Sequence, residues 1–401
     1  MFLVREPYYN PSPVVAMKKS KLFVCFLLLA ASAFAQELKF APLGNFKLEN
    51  GQIIRDCRLG YRTFGKLNRD QSNVILFPTW FTGTTKNLIE FFGPGKLVDT
   101  SKYYVIAVDA LGDGASSSPS NSRLQPHMRF PAFSIRDMVA SQHAMLTRVL
   151  HIRHLHAVMG ISMGGMQSFQ WILSYPDFTD KAIPIHGSPQ LAPYDLLLWQ
   201  TMKDAVEHDT RWKNGDYTPP LHIRTANEIS DLALTTPDRY NRENTRQKFF
   251  ESLKADAQQE QLQKSAVRGG SRGIAASKSA AREPGVEQKD SSSASAASKN
   301  ANPPEEDFDP DDRIRQIEAM MNHDVSAPFG GSMERAATAV KVPLLVIVDR
   351  YDHMVTPGPA LNFARLAHAP SLELQSDCGH IAAGCEEAQR VKDTVAQFLG
   401  K

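Results

Sequence analysis

Between an apolar run, Ala157-Val158-Met159, and a helical pattern from Gly165 to Leu173 stands Gly160-Ile161-Ser162-Met163-Gly164. This arrangement leaves few folds open. A serine at the centre of G-x-S-x-G, with a strand before it and a helix after it, marks a turn sharp enough to lift the hydroxyl out of a sheet. The glycines follow from crowding, because side chains would collide in so tight a strand–turn–helix. The helix that begins there also brings the positive end of its dipole close to a developing oxyanion.

The rest of the chain alternates in the same manner. Asn73 to Phe77, Tyr103 to Val108 and Leu155 to Met159 are short apolar runs bounded by turn residues, and they read as buried strands of a largely parallel sheet. Ile135 to Leu150 carries Ile135, Met138, Val139, Met145, Leu146 and Val149 at helical spacing, with Gln142 breaking the apolar face once. A second block closes the chain. Pro343 to Val348 and Leu372 to Gln375 read as strands, and Ala360 to Ala367 as a helix. Glu386 to Leu399 is a helix with Val391, Val395, Phe398 and Leu399 on one face. Such alternation at both ends argues one α/β fold, a mostly parallel sheet flanked by helices. With 401 residues, 42% of them hydrophobic, the chain can build a sizeable core.

A serine hydroxyl needs a base, and the base needs a third group to hold it. In the α/β-hydrolase fold these follow the nucleophile in the order acid, then histidine. Asp349-Arg350-Tyr351-Asp352 follows the strand Leu344 to Val348, and Gly379-His380 lies in a loop after the next strand. Asp352 sits further into its loop, where a carboxylate can reach a histidine; Asp349 reads as a strand-end structural residue. His380 alone of the twelve histidines occupies the last-loop position, with His323 and His353 as rivals. The expected catalytic set is therefore Ser162, Asp352 and His380. The oxyanion hole should take the backbone N–H of Met163 and one from the loop Pro78-Thr79-Trp80-Phe81-Thr82-Gly83, where Phe81 is the candidate.

These residues resemble one family. Gly160 to Gln167, G-I-S-M-G-G-M-Q, is similar to the nucleophile region of homoserine O-acetyltransferases. So are Tyr61 to Asn68, Gly93-Pro94-Gly95 with Leu97 to Thr100, and Ile135 to Val139. His208-Asp209 to Trp212 and Gly215-Asp216-Tyr217 look like the family's helical lid. The resemblance spans about 40–255 and 310–400. It implies the same triad, the same oxyanion donors, a lid inserted between the core halves, and a homodimer. One departure stands out. Where the transferases commonly read H-A-L-T-G, this chain has Thr79-Trp80-Phe81-Thr82-Gly83, and two bulky aromatics there would reshape the acceptor pocket.

The middle and the beginning of the chain are of another kind. Residues 191–254 are helix-like, with aromatics among charges, and about 256–312 is rich in Ser, Ala, Lys, Gly and Pro. That stretch has too few large apolar residues to offset its ordering entropy, so it reads as a disordered insert in the lid. At the start, Lys18, Lys19 and Lys21 precede the apolar Leu22 to Ala31, and Ala33-Phe34-Ala35 fits a cleavage site, with Gln36 as the mature start. The apolar run is too short to anchor the chain in a membrane. Residues 1–16 precede a second plausible initiator, Met17. The expected layout is a signal at 1–35, a first core half at 36–190, a lid at 191–335 and a second core half at 336–401.

Formal net charge is +2, which carries no signal for nucleic acid. In an oxidising compartment Cys378 and Cys385 could pair, or remain free thiols beside Cys57. The cysteine spacings make no metal site, and no cofactor is expected. The leading expectation is an exported hydrolase of a small carboxylic ester. The alternatives are an O-acyltransferase moving acetyl or succinyl from CoA to homoserine or another alcohol, and a non-catalytic binding protein. The intact triad argues against the last.

Overall fold

The computed structural model describes residues 37–255, 258 and 308–400. The signal at 1–35 and nearly all of the insert at 256–312 lie outside these described residues. Eight strands form one sheet in the order β1-β2-β4-β3-β5-β6-β7-β8. They are β1 (Lys39–Lys47), β2 (Ile53–Phe64), β3 (Val74–Pro78), β4 (Tyr104–Val108), β5 (Ala157–Ile161), β6 (Ala182–Ile185), β7 (Val346–Asp349) and β8 (Ser371–Leu374). β3 to β8 run parallel; β2 is antiparallel to both β1 and β4.

The strand interiors explain the two-faced core. Val74 and Leu76 pack on one side of the sheet, Ile75 and Phe77 on the other; Ile106 and Val108 are likewise opposed to Val105 and Ala107. Both faces being covered, the strands read as continuous apolar runs rather than as an alternation. Helices among the described residues include α1 (Ile135–Ala144), α2 (Met163–Ser174), α3 (Pro193–Glu207), α4 (Arg224–Leu234), α5 (Pro237–Glu243), α6 (Pro310–Met321), α7 (Met333–Thr338), α8 (Gly358–Leu366) and α9 (Ala388–Gly400). α1 opens on a capping box, in which the Ser134 hydroxyl accepts from the Asp137 N–H while the Asp137 carboxylate accepts from the Ser134 N–H. α1 then passes into a π turn, Met145–Val149, so the expected helix to Leu150 is two kinds of helix end to end. α9 buries Val391, Val395 and Leu399, one position per turn, on the second core face. Among the described residues no helix is long and apolar enough to cross a membrane.

All of α3 to α7 lies between β6 and β7. α3 packs against α4 and α6, and its buried Trp199 stands edge-on to Phe81, 5.0 Å between ring centroids. The low-complexity reading extended too far at one end. Asp309 caps α6 by accepting from the N–H groups of Asp311 and Asp312, and Pro310 to Asp312 are buried. Asp311 takes the Trp212 indole N–H at 2.6 Å and Asp312 takes the Ser120 hydroxyl at 2.5 Å. A run of acids that looks solvent-bound in sequence is thus a hydrogen-bonded helix start, and burial raises the Asp311 and Asp312 carboxyls above their ordinary range.

Candidate active site

Ser162 sits between the end of β5 and the start of α2 with φ 58° and ψ −122°, a conformation held only because its surroundings enforce it. The enforcement is visible atom by atom. A Cβ on Gly160 would stand 2.6 Å from the Gly164 carbonyl carbon, and one on Gly164 would stand 2.5 Å from the Pro78 carbonyl oxygen. The second contact presses the start of α2 against the end of β3. Two glutamines reinforce it. Gln167 donates to the carbonyls of Thr79, at 3.1 Å, and Met163, at 3.2 Å, while its own side-chain oxygen accepts from Gln142 at 2.5 Å. The Trp171 indole N–H donates to Gln142 at 2.8 Å. The residue that broke the apolar face of α1 is therefore part of a buried relay.

The structure brings the three expected side chains together. His380 lies in a short 3-10 segment, Gly379–Gly384, after β8. Its Nε2 is 2.8 Å from the Ser162 Oγ, and its Nδ1 is 2.7 Å from Oδ2 of Asp352. The other carboxylate oxygen of Asp352 accepts from the N–H groups of Met354, at 2.9 Å, and Val355, at 3.0 Å. Burial works against ionisation of Asp352, but the charge and hydrogen bond of His380, with His186 behind, outweigh it and hold the carboxyl below its ordinary value. All three side chains are buried.

Asp349 does different work. Its carboxylate accepts from the N–H groups of Tyr351, at 2.8 Å, and Ser376, at 2.9 Å, tying the end of β7 to the turn after β8. Of the rival histidines, His323 is buried near Asp324 and the Ser188 backbone, and burial pushes it down to about 3. His353 follows Asp352 in its loop, but the hydrogen bonds to Ser162 and Asp352 both go to His380.

The two expected oxyanion donors flank the elbow. Met163 is the first residue of α2, where a backbone N–H has no intrahelical acceptor. The Phe81 N–H donates to no acceptor among the described residues. The adjacent Thr82 N–H donates to Gln316 of α6 at 3.0 Å, and Gln316 in turn donates to the Leu111 carbonyl at 3.2 Å. Cys378 and Cys385 are disulfide-bonded, which settles the open alternative, and Cys57 is a buried free thiol.

An elbow serine, a histidine bridging it to a buried carboxylate, and eight strands in this order are the marks of one superfamily, and a sequence profile for the alpha/beta hydrolase fold matches residues 73–384. The chain belongs to the α/β-hydrolase family. It is similar to an ethyl acetate hydrolase of Pseudomonas veronii, 37% identical over 179 residues, 44% of this chain and 51% of that protein. It is also similar to a homoserine O-acetyltransferase of Nautilia profundicola, 33% identical over 199 residues, 43% of this chain and 52% of that protein. The chain spans about half the length of these curated relatives. An acetylester hydrolase structure from Corynebacterium glutamicum superposes with a TM-score of 0.73 at 25% identity, over 91% of this chain and 96% of that one.

Four features of the site were not anticipated in the sequence: β6, the His186 that follows it, the Gln142–Gln167 relay and the Gln316 tie. Gln142 left a trace, as a polar residue on an otherwise apolar helical face. The other three had none.

Proposed function

We propose that this chain hydrolyses small carboxylic esters through an acyl-enzyme formed on Ser162. The observation that carries the reading is the continuous hydrogen-bonded line from Ser162 through His380 to Asp352. His380 Nε2 takes the proton from the Ser162 hydroxyl as Oγ attacks the ester carbonyl, and Asp352 stabilises the imidazolium that forms. The N–H groups of Met163 and Phe81 receive the oxyanion. Collapse of the tetrahedral adduct breaks the ester C–O bond, and the departing alcohol takes the proton held on His380. Water then attacks the acyl-enzyme by the same route and releases the acid. No cofactor enters either half.

Water rather than an alcohol as acceptor is supported by three things. Trp80 and Phe81 stand where the transferases carry smaller residues, and Phe81 is already packed against Trp199. The similarity to ester hydrolases in both sequence and structure points the same way. Export from the cytosol, expected from residues 1–35, would separate the enzyme from acyl-CoA, and the Cys378–Cys385 bond fits an oxidising compartment. The helices between β6 and β7 serve as the lid, since their residues contact the loops that carry Phe81, Asp352 and His380.

Purified protein starting at Gln36 should release acid from short-chain esters at a rate unchanged by homoserine, and should liberate little CoA from acetyl-CoA. Fast CoA release that depends on homoserine would overturn the hydrolase reading in favour of acyl transfer.

A further inference from the structure

His186 lies immediately after β6, at φ 48°, a left-handed conformation that histidine tolerates better than most residues. Its backbone N–H donates to the Ile347 carbonyl at 2.8 Å, fixing it to the neighbouring strand. Gly187 beyond it is pressed on the start of α2, where a Cβ would meet the Gly165 carbonyl carbon at 2.5 Å. The imidazole is fully enclosed, and neither ring nitrogen has a hydrogen-bond partner. The one ionic group facing it within 4 Å among the described residues is the Asp352 carboxylate, whose Oδ2 is 3.8 Å from Nδ1. That oxygen is the one that receives His380. The two imidazoles thus converge on it from the segments that follow β6 and β8, with 6.0 Å between ring centroids.

A buried imidazole with no partner is costly to keep, and a hydrophobic residue would fill the same space without that cost. We infer that His186 is a positioning residue of this active site, whose Nδ1–H is directed at Oδ2 of Asp352 and holds the carboxylate toward His380 while withdrawing part of its charge. The inference rests on the reading of Ser162, Asp352 and His380 given above. Burial keeps His186 neutral, pushing it down to about 4, so one of its nitrogens carries a proton and the other does not. Nδ1 is the nitrogen that faces an acceptor. At 3.8 Å the contact is longer than a hydrogen bond, so His186 acts chiefly as an oriented dipole at the carboxylate, not as a second strong donor.

The other charged groups around Asp352 cannot replace it. Asp195 on α3 and Asp349 at the end of β7 both act on Asp352 or feel it, but as carboxylates they oppose its charge. His353, its chain neighbour, is not among the groups whose charge bears on it most. His186 alone approaches from β6 with a donor. Without it Asp352 would attract the imidazolium form of His380 more strongly and would be less firmly oriented.

His186→Leu fills the site without a donor, and His186→Asn restores an N–H near the place of Nδ1. In the Leu variant kcat for a short-chain ester should fall by about tenfold with KM unchanged, and the acid limb of kcat/KM should move to higher pH by about half a unit. The Asn variant should return both toward wild type. A folded Leu variant with kcat within twofold of wild type and an unmoved acid limb would overturn the inference and leave His186 as packing alone. Should the Leu variant not fold, nitrogen NMR of the wild-type imidazole decides. A neutral Nδ1–H tautomer at pH 7 supports the inference; a proton on Nε2 overturns it. Loss of the triad reading would show separately, as ester hydrolysis that survives Ser162→Ala.

Discussion

Cys378 and Cys385 are joined across the 3-10 turn that carries His380, so the covalent bond closes a short ring around the histidine that touches Ser162. The bond constrains the unfolded chain and, in the native state, the position of one imidazole. Replacing both cysteines by serine should cost about 2–3 kcal/mol of stability for so short a loop. It should also lower kcat by about 10-fold to 100-fold with little change in KM, because small misplacements of a proton-transfer group are felt strongly. Thermal melts beside ester kinetics, with and without a thiol reductant, check both effects.

Ser162→Ala should leave a folded protein with turnover reduced on the order of 10⁶ in kcat, as for loss of a triad nucleophile. Circular dichroism and ester kinetics on one preparation suffice. Retention of more than about a tenth of the wild-type rate would remove Ser162 from the chemistry.

The two acids Asp349, which ends β7, and Asp352, in the loop beyond it, should separate cleanly. Asp352→Asn should lower kcat by about 10⁴, because the amide cannot support the imidazolium. Asp349→Asn should leave kcat within about tenfold. Its effect should appear as about 1–3 kcal/mol of lost stability, because the amide leaves one of the two N–H donors, Tyr351 or Ser376, without an acceptor. The reverse pattern would exchange their roles.

Gln167→Leu tests the relay beneath the oxyanion loop. It strands the Thr79 carbonyl and the Gln142 amide in the core, an expected loss of about 1–3 kcal/mol. Because the same side chain joins the loop of Phe81 to the helix of Met163, kcat should fall about tenfold while KM stays near wild type. A stability loss with kcat untouched would make the relay purely structural.

Acid should weaken the fold through His323. Burial lowers it from its ordinary value near 6.5 to about 3, so the unfolded chain takes up a proton before the native state does. Its contribution to stability is therefore present above pH 6.5 and is lost as the pH falls from there toward 3. Thermal midpoints measured between those limits should decline less steeply for His323→Gln than for wild type.

The legible parts of the sequence were those where one residue type has few alternative explanations. The elbow could be read because a glycine-flanked serine between a strand and a helix has little other use, and β3, β4 and β5 because doubly covered strands are apolar throughout. β1, at the sheet edge, and β2, next to it, were hidden because exposed residues such as Ile53, Arg55 and Asp56 interrupt the buried ones. β6 was hidden by Pro184, a residue that argues against a central strand. It lies between β5 and β7 nonetheless, in register opposite Gly160. Missing β6 meant missing His186, since nothing else placed that histidine near Asp352. The buried acids Asp311 and Asp312 were misread because local composition cannot show that Trp212, Ser120 and His127 wait far away in sequence to receive them.

Among the described residues the Gln316 side chain hydrogen-bonds to main-chain atoms, taking the Thr82 amide and giving to the Leu111 carbonyl. A fastening of this kind is indifferent to the side chains on the loops it joins. Positions 80 and 81 can therefore change without loss of this tie, Phe81 giving up only its packing on Trp199, and the two proposed oxyanion amides, being backbone, survive any such change. On the hydrolase reading proposed above, selection could exchange one ester for another by repainting a wall, with neither the reacting atoms nor this main-chain tie rebuilt.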